Sequence, residues 1–119
     1  MINQILGVAI LGALGSLFRF WSSENLNGLL PYGTLFSNLT GCFILGFILK
    51  FPVNDSWKTI IIVGFCGGLT TFSSFIYQLQ ELWNGREWSN LSLYFCLSLI
   101  LGIVALILGT KISSLLNFS

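Results

Sequence analysis

Uncharged polar residues lie in the middle of an apolar stretch at residues 64–75, GFCGGLTTFSSF, inside a charge-free run that covers residues 59–80. The pair Gly67 and Gly68 weakens a helix, and the hydroxyl side chains that follow can bond backbone groups freed by a break. Such a break offers carbonyl oxygens to a cation on one side and amides to an anion on the other. The stretch therefore predicts a helix broken near residues 67–72, with close helix packing at the glycines as the open alternative.

Several side chains could contact an anion without carrying a fixed charge. Phe72 and Phe75 are three residues apart, on one face of a helix, and the edges of aromatic rings have positive quadrupole character. Asn38 brings an amide donor at a similar depth in the second apolar run. Tyr94 and Ser98, four residues apart, place hydroxyl groups on one face of the fourth run. These residues favour an anion route, although each of them also suits ordinary helix packing.

Acid–base and metal chemistry have few candidate residues in this chain. It contains no histidine, and no Asp or Glu lies well inside an apolar run. Catalysis therefore lacks its usual side chains, and a proton-coupled exporter of cations lacks its intramembrane carboxylate. Cys42, Cys66 and Cys96 have no metal-ligand spacing and are predicted to be small packing residues. Because catalytic side chains are missing, we expect no enzyme, and because the net charge of +1 gives no basic patch, we expect no nucleic-acid binding.

The elements that must position these groups are four long apolar runs. Of the 119 residues 55% are hydrophobic and 8% are charged, with a mean hydropathy of +0.88, more apolar than a soluble domain of this size could bury. Each run approaches the roughly 20 residues that a helix needs to cross the hydrocarbon core. We therefore predict an all-α membrane protein with a single domain, residues 1–119, and four transmembrane helices, the third broken near its centre. The predicted spans cover residues 2–22, 33–50, 58–82 and 89–112.

Positive charge is almost balanced across the membrane in this topology. The termini and the second loop share one side and carry Lys50, Lys58 and Lys111, whereas the other side carries Arg19 and Arg86. A chain with so little positive-inside bias can insert in both orientations, and two opposite copies can then pair. The charge pattern therefore predicts a dual-topology protein that forms an antiparallel dimer in the lipid bilayer.

Three motifs carry a family resemblance that covers essentially the whole chain. Residues 67–75, GGLTTFSSF, match a third-span motif, and residues 33–46, GTLFSNLTGCFILG, match a second-span pattern. Residues 12–20, GALGSLFRF, match a first helix that ends in arginine and an aromatic residue. With these motifs the chain resembles the Fluc (CrcB) fluoride channels of bacteria. The resemblance implies a multi-pass protein of the bacterial inner membrane that lets trapped fluoride leave the cell passively and so relieves fluoride toxicity.

The resemblance also implies roles for particular residues. In the family, two antiparallel subunits surround the breaks in their third helices, whose carbonyls hold a structural Na⁺ that is not transported. Gly67 and Thr70 match those carbonyl donors, and Arg19 matches an arginine near the pore mouth. Two fluoride pathways are each built from both subunits. The positions matched to these pathways are Asn38, Phe72 and Phe75, together with Thr71, Ser74, Tyr94 and Ser98.

The sequence leaves several alternatives open. Gln78, Gly102 and Leu106 stand where the family commonly continues its polar pathway, which points to one half of a heterodimer, whereas the balanced charges favour a homodimer. Two further alternatives, from different function classes, are a small four-helix drug or metabolite exporter and a non-conducting accessory subunit. The lack of a membrane carboxylate argues against the exporter, and the retained amide and phenylalanine side chains argue against the accessory role.

Overall fold

The computed structural model describes residues 1–116, and all the elements in this part of the chain are helices. Four helical segments are long and apolar enough to cross a membrane, which confirms the predicted all-α architecture with four spans. These segments are Ile2–Leu26, Tyr32–Lys50, Asp55–Asn84 and Trp88–Leu116. Residues 117–119 of the predicted domain lie outside the described part of the chain.

The third span is built differently from the other three. It is one joined segment, yet it consists of several helical pieces, whereas the other spans are single α-helices. In chain order the elements are α1 (Ile2–Leu26), α2 (Tyr32–Lys50), α3 (Asp55–Thr59), a π-helical segment (Ile60–Cys66), α4 (Gly67–Leu69), α5 (Phe72–Asn84) and α6 (Trp88–Leu116). A π-helix carries more residues per turn than an α-helix and is frequent beside functional sites. The irregular backbone is therefore confined to the span that holds the polar motif.

Asparagine side chains fix where two of the helices begin. Asn54 accepts a hydrogen bond from the Trp57 amide at 2.9 Å at the start of α3. Asn27, in the loop before α2, accepts bonds from the amides of Gly33 and Thr34 at 2.8 and 3.2 Å. The first amides of a helix have no partner within it, so these side chains satisfy donors that would otherwise need water.

Glycines let α1 approach the third span closely. A Cβ atom added to Gly68 would collide with the backbone of Gly12. A Cβ atom added to Gly15 would collide with the Phe65 carbonyl and lie 2.8 Å from the Leu69 amide. Small residues at helix contacts in membranes allow the backbones to meet in this way. Gly68 therefore has the packing role that the sequence left open as an alternative.

A second glycine contact joins α2 and α6, and we call it the glycine seam. Gly46 lies against the Leu106 carbonyl and Gly109 against the Phe43 carbonyl, so that a Cβ atom at either glycine would collide with the opposite backbone. Thr110 Oγ1 donates to the Gly46 carbonyl at 3.3 Å across the same contact. The seam leaves little space between the two helices, and it holds α6 at a fixed distance from α2.

Large apolar side chains cover the outside of the chain. Ile103 is 63% exposed and Phe72 is 75% exposed, and many other leucine, isoleucine and phenylalanine side chains of the spans are exposed as well. The longest dimension of the chain is 50 Å, which exceeds the roughly 30 Å hydrocarbon core of a bilayer. An apolar surface of this size is stable against lipid or a partner subunit rather than against water.

Candidate functional site

The backbone of the third span departs from helical geometry at Thr70 and Thr71. Thr70 has φ −92° and ψ 153°, and Thr71 has φ −148° and ψ 121°, so both residues are extended between α4 and α5. We call these two residues the 70–71 step. Thr71 Oγ1 caps α5 by accepting a bond from the Ser74 amide at 3.1 Å. Because extended residues leave the helical ladder, the backbone groups around the step need partners from elsewhere.

Asn38 on α2 supplies two of these partners. The Thr71 amide donates to Asn38 Oδ1 at 2.7 Å, and Asn38 Nδ2 donates to the Thr71 carbonyl at 3.3 Å. The side-chain amide thus acts as a neighbouring peptide group and bonds both backbone groups of one residue. The sequence predicted an anion contact for Asn38, and the structure adds a positioning role, since this side chain fixes the 70–71 step. Its Nδ2 carries a second hydrogen that can serve another acceptor.

The carbonyls of Gly67 and Thr70 lose the donors that a continuous α-helix would give them. In such a helix the Thr71 amide would bond the Gly67 carbonyl, but here it donates to Asn38. The Ser74 amide would likewise bond the Thr70 carbonyl, but it donates to Thr71 Oγ1. Two carbonyl oxygens at the step are thereby made available to another ligand.

Arg19 of α1 is bonded beside the same step. Its Nε donates to the Gly68 carbonyl at 3.0 Å, and the side chain is half-buried. A guanidinium group has five donors in all, so this one bond leaves capacity for further acceptors. The structure therefore places a fixed positive charge next to the irregular backbone, while the role of Arg19 at a pore mouth stays a prediction.

A groove of about 410 Å³ runs along the 70–71 step between α2, the third span and α6, and we call it the central groove. It brings together most of the site residues that the sequence predicted. Those that line it are Asn38, Gly67, Thr70, Thr71, Phe72, Phe75 and Ser98. The remaining predicted residues, Arg19, Ser74 and Tyr94, lie outside the lining: Ser74 contacts Thr71 and Tyr94 contacts Phe75, both in the lining, whereas Arg19 contacts Gly68 next to it.

The two phenylalanines of the motif differ in burial. Phe72 is 75% exposed, whereas Phe75 is 7% exposed, and their ring centroids lie 6.3 Å apart. Phe75 also meets Tyr94 in an edge arrangement, with a centroid distance of 5.2 Å and an interplanar angle of 60°. One ring is therefore held firmly in the core while the other stands at the open side of the central groove.

Ser98 offers a hydroxyl group inside the central groove. Its Oγ is buried and, among the residues that the structure describes, has no hydrogen-bond partner. A buried polar atom without a partner costs about 1–3 kcal/mol, and such atoms in native structures call for a ligand, a water or a functional reason. The Ser98 hydroxyl is thus free to donate to a small acceptor in the groove.

A buried chain of hydrogen bonds connects α2, α5 and α6 next to Phe75. Tyr94 Oη donates to Gln78 Oε1 at 2.7 Å, and Gln78 Nε2 donates to Thr34 Oγ1 at 2.8 Å. Tyr94 and Thr34 are each 1% exposed. The sequence predicted only Tyr94 as a site residue. Helical spacing could have found the other two, because Thr34 precedes Asn38 by four residues and Gln78 follows Phe75 by three.

Gln78 also lines a second, more polar groove of about 250 Å³. Asn27, Glu81 and Glu87 contribute to the same lining, and the two glutamates are exposed. The buried chain of Thr34, Gln78 and Tyr94 therefore lies between the central groove and a polar opening near the ends of α1 and α5.

These observations define a class of protein. Four helices are apolar and long enough to span a membrane, and three of the spans line an open groove that contains the Asn38 amide, hydroxyl groups and aromatic rings. Within residues 1–116 no group of three or more His, Cys, Asp or Glu side chains is placed to hold a metal ion. The chain is therefore a polytopic membrane protein whose central site contains uncharged groups.

Comparison with known proteins gives the family. The family described as CrcB-like protein, Camphor Resistance (CrcB), matches residues 6–110, and the chain belongs to this family. A Fluoride-specific ion channel FluC of Leptospira interrogans is 39% identical over 110 residues, which cover 85% of this chain and 87% of the relative. The FluC of Acidobacterium capsulatum is 38% identical over 120 residues, which cover 93% and 96%. A FluC 1 of Yersinia pestis is 45% identical over 93 residues, which cover 68% and 73%.

Proposed function

We propose that the chain is the subunit of a fluoride-selective channel through which cytoplasmic fluoride leaves the cell passively. Its relatives in Leptospira and Acidobacterium are named fluoride-specific ion channels. The chain is a multi-pass protein of the bacterial inner membrane and not an enzyme. The observation that carries the proposal is the central groove, which gathers the Asn38 amide, two phenylalanine rings and the unpartnered Ser98 hydroxyl.

The chemistry of this groove suits a small, strongly hydrated anion. A selective pore must replace the water around fluoride with several weak donors, because a single strong cation would bind the ion too tightly to release it. Amide and hydroxyl hydrogens donate directly, and the positive edges of phenylalanine rings contact an anion without a fixed charge. Thr71 and Ser74 at the start of α5 and Tyr94 beside Phe75 extend the pathway in this proposal.

The pathway continues from the central groove toward the polar opening. Phe75 contacts Tyr94, Tyr94 bonds Gln78, and Gln78 lines the second groove. We assign this route to fluoride because each neighbour offers a hydrogen-bond donor or a ring edge. The exposed Glu81 and Glu87 at the opening repel anions only weakly at physiological salt, since the Debye length there is about 8 Å. Arg19, which bonds the Gly68 carbonyl near the 70–71 step, adds a positive charge that attracts anions.

A second copy in the opposite orientation completes the proposed channel. Phe72 stands 75% exposed at the open side of the central groove, so a single chain forms only part of a wall around an ion. Lys and Arg are nearly balanced between the two membrane sides, which favours a dual-topology homodimer. Heterodimer formation with a sister subunit is the alternative, because Gly102 and Leu106 interrupt the row of hydroxyl groups on α6.

A structural Na⁺ is proposed at the carbonyls of Gly67 and Thr70, with the 70–71 step dividing the third span into two half-helices. The donor set fits a hard cation, which prefers oxygen ligands, and the helical donors of both carbonyls are engaged elsewhere. When bound, Na⁺ would supply a fixed positive charge between the two copies, and it would not be transported. Replacement of Na⁺ by a larger cation should weaken dimer formation on gel filtration, whereas a measurable Na⁺ current would contradict the proposal.

An efflux measurement tests the proposed function. Liposomes that contain the purified chain are loaded with potassium fluoride, valinomycin is added, and a fluoride electrode follows release, with chloride-loaded liposomes as the control. Rapid fluoride release without chloride release is the expected result and supports a self-sufficient homodimer. Release of both anions at similar rates would overturn the assignment of selectivity. The absence of fluoride release would overturn the self-sufficient homodimer. A repeat with a sister subunit would then decide between a half-channel and a non-conducting subunit.

A further inference from the structure

Two cysteines line the central groove, although the proposed fluoride pathway uses neither of them. Cys42 lies on α2 and Cys66 ends the π-helical segment, and both thiols are free. Cys42 is half-buried and Cys66 is buried, whereas Cys96 is exposed on α6 and does not line the groove. From sequence these residues were predicted to be packing residues, because they have no metal-ligand spacing and the chain contains no histidine.

The contacts between α2 and the third span bring the two cysteines to neighbouring positions. Asn38 pairs with Thr71, and a Cβ atom on Gly41 would meet the Thr70 side chain and lie 3.8 Å from the Cys66 carbonyl. Residue numbers thus rise along α2 while they fall along the third span, as expected for antiparallel helices. One turn beyond Asn38 is Cys42, and about one turn before Thr71 is Cys66. This register sets the two cysteines opposite each other.

Further observations place the pair in the groove. Cys42 Sγ lies 3.8 Å from the position of a Cβ atom on Gly102, so this thiol stands where α2 meets α6. Leu45 and Ile62, one turn further along each helix, also line the groove. Cys42 and Cys66 therefore border one groove, between these apolar side chains and the 70–71 step.

We propose that Cys42 and Cys66 form a binding site for one soft, thiophilic d¹⁰ metal ion, of the class of Cu(I) and Ag(I). Thiolate sulfur is the protein ligand that such ions prefer, and two opposed thiolates satisfy their low coordination number. Each thiol that coordinates the ion exchanges its S–H bond for a metal–sulfur bond and releases its proton to water in the groove, with no change of oxidation state. Hard Na⁺ does not compete, because it prefers oxygen.

Metal binding at this site blocks fluoride movement. The bridge links α2 to the third span one turn from the bonds between Asn38 and Thr71, so it restrains the helices that position the 70–71 step. It also fills part of a groove of about 410 Å³ with a cation and two sulfur ligands. The inhibition requires both thiols, since one thiol alone neither links the two helices nor holds the ion firmly.

Silver ion is the probe for this site, and Cys96→Ser is the background because it removes the exposed thiol. Silver nitrate is added in chloride-free buffer to the full-length chain in detergent, and retained silver is measured after gel filtration. The Cys96→Ser protein is expected to retain one Ag⁺ per chain at equimolar silver. Adding Cys42→Ser or Cys66→Ser should weaken binding by at least an order of magnitude. Equally tight binding in either double variant, or no retained silver in the Cys96→Ser protein, would overturn the proposal.

Flux measurements then test inhibition separately from binding. In fluoride-loaded liposomes, submicromolar Ag⁺ should abolish release by the Cys96→Ser protein and leave both double variants active. Persistent inhibition in the double variants would overturn the site. Cys42→Ala and Cys66→Ala serve as a second pair if a serine variant elutes as aggregate. Because silver retention is measured in detergent without fluoride, it decides the metal site even if the chain fails to conduct fluoride.

Discussion

Two contacts of α2 differ in how they hold the neighbouring helices. At one contact, Gly46 belongs to the glycine seam with α6, where backbones touch and a Cβ atom would collide. At the other contact, about two turns nearer the start of α2, Asn38 bonds Thr71 beside a groove of about 410 Å³. Glycine removes side chains so that two helices meet, whereas the amide holds two helices together while space remains beside it. One helix can therefore anchor a rigid contact and border a cavity, because its residue types differ between the two contacts.

The largest effect is expected from Asn38→Ala, which removes the polar link across the groove. The variant leaves the Thr71 amide and carbonyl without their side-chain partner at bilayer depth, at a cost of about 1–3 kcal/mol for each buried group. The 70–71 step then loses its fixed geometry, and fluoride efflux from liposomes should fall by at least two orders of magnitude. Thr40→Ala on the same helix is the control, since its hydroxyl bonds the Phe36 carbonyl of its own helix. Equal loss in both variants would contradict the positioning role of Asn38.

Phe75→Ile tests the ring edges in the groove while it keeps an apolar side chain. Efflux should fall by about tenfold or more, because isoleucine has no positive ring edge and also loses the edge contact with Tyr94. Phe72→Ile should reduce efflux without loss of stability, since Phe72 is 75% exposed. Phe20→Ile, at a ring that is 64% exposed on α1, is the matched control. Unchanged flux in folded Phe72 and Phe75 variants would show that neither ring contacts the ion.

Gly109→Ala disrupts the glycine seam, the other contact of α2. The added methyl group collides with the Phe43 carbonyl, and overpacking of this kind destabilises proteins by about 1–3 kcal/mol. We expect a lower midpoint of thermal unfolding in detergent and a lower yield of dimer, with little change in ion selectivity. Gly28→Ala is the control, because a Cβ atom there meets no atom of residues 1–116 within 4 Å. A variant with normal stability and altered selectivity would mean that the glycine seam borders the pathway.

The smallest effect is expected from Gln78→Leu, which removes the middle of the buried chain between Thr34 and Tyr94. Tyr94 Oη loses its acceptor, and fluoride efflux should fall severalfold while the central groove keeps its shape. Gln80→Leu provides the control, since Gln80 is exposed on the same helix. An effect as large as that of Asn38→Ala would indicate that the narrow part of the pathway lies at the buried chain rather than at the 70–71 step.

Some features of the fold follow from local sequence. Four apolar runs predict four membrane helices because backbone groups in lipid must bond within their own segment. Asn54 precedes a helix start, and its side chain bonds the Trp57 amide there. Gly68 was harder to interpret, since a glycine in a membrane helix serves either packing or flexibility. Its contact with Gly12 of α1 assigns it a packing role, and that contact joins residues 56 positions apart.

The features of the candidate site also fall into those that local sequence predicts and those that depend on tertiary contacts. Asn38, Phe72, Phe75 and Ser98 were found from residue type and helical spacing, which depend on one helix at a time. The partners of these residues depend on how helices are placed against each other. Nothing in the local sequence joins Asn38 to Thr71, as the two lie 33 positions apart.

By itself, the sequence determined the class of this protein, its helical spans and its family. These follow from the hydrophobic effect along single segments and from motifs of adjacent residues. Only the tertiary structure decided that Arg19 bonds the Gly68 carbonyl and that Gln78 links Tyr94 to Thr34. The physical reason is that hydrogen bonds reach a few ångströms only, so they exist where the packing of separate helices brings their atoms together.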